Sequence, residues 1–144
     1  IFDVADWELN ITTDYRERFF RRPIADQEGD GFVQNWICYG NAYVAAKSLT
    51  VDPGREAVIT DPAAYGCVVI QGHGSFGEFG CESTTYLRYG QLSADEFFVS
   101  QEAAKSGIRV VNGSRYEPLV ILKHFGPDCG IPQVEAMSKP YPKA

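Results

Sequence analysis

A regular series of short apolar segments, separated by turn residues, runs from residue 32 to residue 125. The segments are rich in β-branched and aromatic residues, and Gly, Pro, Asn or Asp lies between most of them, which is the pattern of short strands joined by turns. The predicted strands cover residues 32–39, 42–51, 56–61, 67–77, 84–90, 95–100, 108–114 and 118–125. Short strands at this even spacing predict an all-β, antiparallel barrel or sandwich.

Two features interrupt the series. The sequence Gly72-His73-Gly74 predicts a hairpin inside the fourth segment. Residues 101–107 (QEAAKSG) predict one or two turns of helix that end at Gly107.

Residues 1–31 lack the strand pattern and are predicted to form an N-terminal arm before a barrel domain over residues 32–144. Thr12, Thr13 and Asp14 are suitable N-caps for a short helix over residues 15–22. The arginines of this helix form either a solvated face or a clamp for an anionic ligand or a partner subunit. Residues 25–31, which are acidic and contain two glycines, predict a linker.

Composition and charge exclude several classes of function. A length of 144 residues suits one domain with a single core. The net charge of −6 comes without a basic stripe, so nucleic acid is not an expected partner, and no apolar run approaches the ~20 residues that cross a membrane. The four cysteines lack metal-binding spacing, so free thiols and a cytoplasmic location are expected, with a Cys81–Cys129 disulfide as an alternative.

Four segments carry a resemblance to a known family. Residues 65–74 (YGCVVIQGHG) run into a Gly-x-Gly turn, and residues 95–99 (DEFFV), 108–112 (IRVVN) and 117–122 (EPLVIL) follow. This arrangement resembles the two sequence motifs of the cupin superfamily, the RmlC-like β-barrels, over residues 49–127. The resemblance implies an antiparallel cupin-type β-barrel, or jelly roll, which usually holds a metal ion on three histidines and a glutamate.

The metal-binding positions that the resemblance implies carry other residues in this chain. They fall on Tyr65, on Ile108, and on either Ile59 and Asp61 or Val58 and Thr60. Because Asp61 alone among these is a good metal ligand, an imidazole-rich site is not expected. We therefore predict no metal and no other cofactor. An unconventional site made of Asp61, Glu82, His73 and His124 is the less favoured alternative.

Some members of the family isomerise or epimerise sugars without a metal, a reaction that needs a general base and a general acid near one carbon. His124 is the predicted base, because an unperturbed histidine already titrates near neutral pH. Tyr65 or Tyr86 is the predicted acid, and Asp61 is predicted to support the base. These three roles form the predicted catalytic set.

Polar side chains on apolar strands are the predicted ligand contacts: Arg88, Gln71, Tyr86, Lys123 and Lys47. Arg88 requires an anionic partner, which is either Glu82 or Glu96 or a bound ligand. By the period of two along a strand, Lys123 lies on one face and His124 on the other, so either one can point into the barrel. His73 lies in a turn and is expected to be exposed.

The leading hypothesis is a cupin-like domain that binds a small polar or sugar-like ligand, with metal-independent sugar isomerisation or epimerisation as its reaction; whether it is an enzyme stays open. The alternative is a non-catalytic binding, regulatory or structural cupin domain that acts through dimerisation. A homodimer is the expected assembly. Trp7, Phe19, Phe20 and Trp36 supply its aromatic contacts unless they belong to the core.

Overall fold

The computed structural model describes residue 7 and residues 11–14, 20–40, 42–84 and 89–132. Within these ranges the chain forms ten strands and helix α1 (Gln101–Ser106). The strands are β1 (Ile24–Gly29), β2 (Phe32–Cys38), β3 (Ala45–Val51), β4 (Glu56–Ile59), β5 (Tyr65–Gln71), β6 (His73–Phe76), β7 (Phe79–Glu82), β8 (Glu96–Val99), β9 (Ile108–Asn112) and β10 (Leu119–Phe125).

The strands form two sheets. The larger has six strands in the order β1-β2-β3-β10-β5-β8, and the smaller has four in the order β4-β9-β6-β7. Neighbouring strands are antiparallel in both sheets. Because β10 pairs with both β3 and β5, the last of the described strands lies at the centre of the larger sheet. The predicted all-β, antiparallel architecture is confirmed.

The core lies between the two sheets and follows from alternation along the strands. In β3 and β10 every second residue is buried, so Leu49 and Ile121 are fully inside. Trp36, Tyr65 and Phe125 pack at one end of this core, with ring centroids 5.9 Å and 5.2 Å apart for the Trp36–Phe125 and Tyr65–Phe125 pairs. Trp36 is therefore a core residue, not the dimer contact suggested as one option from the sequence.

Helix α1 is the predicted helix, and its ends match the sequence signals. The Ser100 hydroxyl accepts a hydrogen bond from the Ala103 amide at 3.3 Å, which caps the first turn. Gly107 ends the helix with a φ of 96°, a conformation that glycine adopts without a steric penalty. No helix in the described residues has the length and apolar character of a membrane span.

The N-terminal region differs from the prediction. Residues 24–29, expected to belong to an arm and linker, form β1 and pair with β2. Residues 20–22 are not helical, and the rest of the predicted helix, 15–19, lies outside the described residues. The division into an arm and a barrel domain stays a prediction.

The region from 67 to 90 also differs. Gly72, with a φ of 80°, carries the chain from β5 in the larger sheet to β6 in the smaller one, so no hairpin forms there. The hairpin partner of β6 is β7, which was not predicted because its sequence, FGCE, is short and contains a glycine. Residues 84, 89 and 90 are not in a strand; the remainder of that predicted strand, 85–88, is outside the described part.

Candidate functional site: a buried lysine–aspartate network

Four polar side chains meet inside the sheet sandwich. Gln34 on β2, Lys47 on β3 and Lys123 on β10 occupy inward positions of adjacent strands. Asp61 follows β4, and its amide donates to the Ala104 carbonyl of α1 at 3.0 Å, which fixes its position. Each of these four residues is at most 2% exposed, so their charges require partners inside the protein.

Asp61 lies at the centre of the network. Its Oδ1 accepts a hydrogen bond from Lys47 Nζ at 2.7 Å, and its Oδ2 accepts one from Lys123 Nζ at 2.8 Å. Lys123 also donates to the Gln34 Oε1 at 2.8 Å. One carboxylate thus bridges two ammonium groups, and a neutral amide accepts from one of them.

Asp26 on β1 supplies the second carboxylate. Its Oδ2 accepts from Lys47 Nζ and from Gln34 Nε2, both at 2.8 Å, and its Oδ1 accepts from Trp36 Nε1 at 3.1 Å. Partial burial acts to raise the pKa of Asp26, but the hydrogen bonds from Lys47 and Gln34 outweigh it and hold the pKa below its usual value. The Asp26 side chain is 19% exposed, which makes it the solvent-facing end of the network.

The network is balanced in charge, with two ammonium groups against two carboxylates. Ion pairs that are taken out of water gain little net stability, because desolvation offsets their attraction. Removing one partner, however, leaves a buried charge without compensation. We therefore expect the members of this network to depend on one another strongly.

Aromatic rings surround the two ammonium groups. Lys47 Nζ lies 4.3 Å from the Trp36 ring centroid and 5.3 Å from that of Phe125. Lys123 Nζ lies 4.8 Å from the centroid of the Tyr65 ring. These are cation–π contacts, and they replace part of the hydration that each lysine loses.

Burial changes the proton affinities of the groups around Lys123. Desolvation lowers the pKa of Lys123, although the charge of Asp61 acts to raise it. Burial and the charge of Asp61 raise the pKa of Tyr65 far above its usual value, and burial raises the pKa of the Cys67 thiol to about 12. The Tyr65 hydroxyl is buried and finds no hydrogen-bond partner among the described residues.

The predicted site residues divide into two groups. Asp61, Tyr65, Lys47 and Lys123 come together at the network, and Lys123, not His124, is the inward residue of β10. His124 is exposed on the opposite face of the sheet, so the structure does not bring the predicted base near Tyr65 and Asp61. A catalytic set of His124, Tyr65 and Asp61 is not assembled.

The other predicted contacts lie elsewhere. Gln71 is exposed at the end of β5, and His73 is exposed on β6. Arg88 and Tyr86 are outside the described residues. The sequence reasoning missed Gln34 and Asp26; Gln34 alternates with Trp36 on the inward face of β2, and a polar residue at such a position was the available signal.

Comparisons with known proteins were made for the whole chain. No protein-family model and no curated protein matches it. An RmlC-like cupin from Shewanella frigidimarina has the same architecture, with a TM-score of 0.50 and 16% identity, over 78% of this chain and 90% of that one. The chain has the cupin fold. The polyketide cyclase RemF from Streptomyces resistomycificus gives a TM-score of 0.51 and 11% identity over 80% of this chain and 78% of that chain.

The residues of the network do not fit a metal centre. In the described part of the chain, no three His, Cys, Asp or Glu side chains are grouped to hold a metal ion. The central carboxylate, Asp61, already uses both oxygens on lysine ammonium groups, which would repel a cation. The network is therefore not suited to bind a metal ion.

Proposed function

We propose that this chain is a non-catalytic cupin domain that acts as a binding or structural module through its outer surface. The observation that carries the proposal is the closed network of Gln34, Lys47, Asp61 and Lys123, which is buried and satisfies its charged groups internally. A substrate would have to displace ion pairs that are already formed. The closed network therefore supports the hypothesis that the interior of the barrel has a structural role and is not a substrate site.

The arrangement also argues against general acid–base catalysis inside the barrel. Such catalysis needs groups that exchange protons near the working pH. The Tyr65 and Cys67 protons are held too tightly for that role, since burial raises the pKa of both groups. His124, the predicted general base, is exposed on the opposite face of the sheet from Tyr65 and Cys67.

A second candidate function is the binding of a small polar or sugar-like ligand at the solvent-facing end of the network. One observation favours it: the Asp26 side chain, which accepts hydrogen bonds from Lys47 and Gln34, is partly exposed. A hydroxyl-rich ligand offers donors to Asp26. Isomerisation or epimerisation of such a ligand stays a prediction with no assembled acid–base pair to support it.

The test combines metal analysis with a thermal-shift panel. The purified protein, prepared without a His-tag, is analysed for transition metals and then melted with and without EDTA, and with a series of sugars, sugar phosphates and sugar acids. We expect no stoichiometric metal, no change in Tm with EDTA, and no Tm increase with any member of the panel, because a ligand that binds only the folded state raises Tm.

Other outcomes discriminate between the candidates. A Tm increase that disappears in Asp26→Asn but persists in Asp30→Asn, an exposed control, would establish the ligand-binding alternative. A stoichiometric metal whose removal lowers Tm would overturn the proposed function.

A further inference from the structure

Strand β8 forms one edge of the six-stranded sheet, and no described strand pairs with its other side. In an antiparallel pair, the backbone N–H and C=O groups of successive residues point alternately toward the partner strand and away from it. The Val69 amide of β5 donates to the Asp95 carbonyl at 2.7 Å, so the backbone groups of Asp95 and Phe97 point toward β5. Those of Glu96 and Phe98 therefore point to the open edge.

This edge borders a cleft between the two sheets. The Ala94 carbonyl accepts a hydrogen bond from the Glu82 amide of β7 at 3.1 Å, so the sheets meet just before β8 begins. At the other end of these strands, Phe79 of β7 and Val99 of β8 both line a cleft of about 310 Å³. A segment that pairs with the open edge of β8 would lie beside this cleft.

Apolar side chains line the cleft. Phe76 and Phe97 stack there, with their ring centroids 5.1 Å apart, while Phe79 is 67% exposed. The apolar lining includes Phe76, Phe79, Phe97, Val99, Ala103 and Ile108. An apolar side chain that enters the cleft removes this surface from water, and the hydrophobic effect favours its entry.

The charges around the cleft are acidic. Glu78 lies in the β6–β7 turn, Glu96 on the outward side of β8, and Glu102 in the first turn of α1. All three are exposed, and within the described ranges none of them forms an ion pair. Among the described residues that line the cleft there is no Lys or Arg. A partner with basic side chains complements this charge.

We propose that the open edge of β8 binds an extended peptide segment with alternating apolar and basic side chains, which joins the sheet as an additional strand. In this mode of recognition, main-chain hydrogen bonds supply affinity, and pockets for alternate side chains supply specificity. The apolar side chains take the inward positions, as Phe97 and Val99 do in β8, and enter the cleft. The basic side chains take the outward positions, beside Glu96.

The inference names a partner for the proposed binding module, and it rests on the proposed function in that respect. The first test uses a fluorescein-labelled synthetic peptide, Lys-Val-Lys-Phe-Lys-Val-Lys, and measures binding by fluorescence anisotropy. We expect saturable binding that weakens as salt is added. A peptide of the same composition without the alternation, Lys-Lys-Lys-Lys-Val-Phe-Val, should bind about tenfold more weakly.

The second test identifies the main-chain hydrogen bonds. Two versions of the alternating peptide carry N-methyl groups on alternate backbone amides, one on the lysines and the other on the apolar residues. In an added strand only one of these sets faces β8. We expect one methylated version to lose binding and the other to keep it. Equal binding by the two versions would overturn the proposal.

The third test uses variants of the protein with matched controls. Phe79→Ala should weaken binding of the alternating peptide about tenfold, whereas Tyr116→Ala, which removes a 93% exposed ring outside the cleft, should not. Glu96→Gln should weaken binding and reduce its salt dependence. Glu28→Gln, on β1 at the opposite edge of the sheet, should do neither.

Several outcomes would overturn the proposal. They are the absence of peptide binding by the wild-type chain, equal losses in the variants and their controls, and a wild-type dimer that the peptide dissociates, which would assign the edge to a second copy. Each of these would leave the non-catalytic assignment of the interior intact, because that assignment is tested separately with metals and sugars.

Discussion

Asp61 and Lys123 show at the scale of single residues how a buried charge depends on its partner. Lys123 is 0% exposed and donates to Asp61 and to Gln34. A methionine fills similar space but offers no donor, so one oxygen of Asp61 and the Gln34 carbonyl lose their partner. The cost of an uncompensated buried charge exceeds the small net gain from the original pair.

We expect Lys123→Met to reduce the free energy of unfolding by about 3–5 kcal/mol, measured by urea denaturation. Lys105→Met is the control, because Lys105 is exposed on α1 and its loss should change little. Adding Asp61→Asn to Lys123→Met removes the excess charge, so the double variant should lose less than the sum of the two single losses. Additive losses would show that the pair is not coupled.

At the scale of elements, the chain passes from the larger sheet to the smaller one between β5 and β6, and again through α1 between β8 and β9. Helix α1 holds Asp61 through the Ala104 carbonyl, and β6 brings the chain into the smaller sheet, where it pairs with both β7 and β9. In β6, Gly74 packs so closely against β9 that a Cβ atom would overlap the Val111 carbonyl oxygen. Glycine at this position permits the β6–β9 contact, since it alone lacks a Cβ.

A matched pair of glycines in the β6–β7 hairpin tests this contact. Gly74→Ala should destabilise the protein by about 1–3 kcal/mol, because the strands must move apart to accommodate the methyl group. Gly80→Ala should be neutral or slightly stabilising, because nothing lies within 4 Å of the added atom. Equal denaturation midpoints for the two variants would refute the close approach of β6 and β9.

At the scale of the whole molecule, the cupin fold is combined with a polar network buried between the two sheets. Lys47 and Lys123, on the larger sheet, pair with Asp61, which follows β4 of the smaller sheet. Lys47 also pairs with Asp26 on β1 of its own sheet. If the network only supports the fold, apolar side chains of suitable volume can replace it as a set, because such replacements of buried ion pairs are often neutral or stabilising.

We expect the combined variant Asp26→Asn, Gln34→Leu, Lys47→Met, Asp61→Leu and Lys123→Met to fold and to keep the wild-type particle mass. Its free energy of unfolding should be at least that of Lys123→Met alone. Urea denaturation and sedimentation velocity provide the measurements. A combined variant that is unfolded, while the single variants fold, would show that this fold requires the polar network itself.

Much of the architecture was predictable because it depends on local patterns. Period-two alternation and turn residues located β2, β3, β4, β9 and β10, and Ser100 and Gly107 bounded α1. Strands β1 and β7 were missed because their sequences, IADQEG and FGCE, have weak strand propensity. Pairing with β2 and β6 makes them strands, and such pairing is not visible in the segment itself.

The amino-acid sequence by itself determined that Lys123 and His124 lie on opposite faces of β10. Only the tertiary structure decided which face of β10 points inward, because both faces carry apolar residues and the period of two cannot distinguish them. It also brought Asp26, Gln34, Asp61 and the two lysines together from distant strands. The hydrogen bonds among these residues depend on the order of the strands in the sheets. That order is set by pairing between segments that are far apart in the sequence.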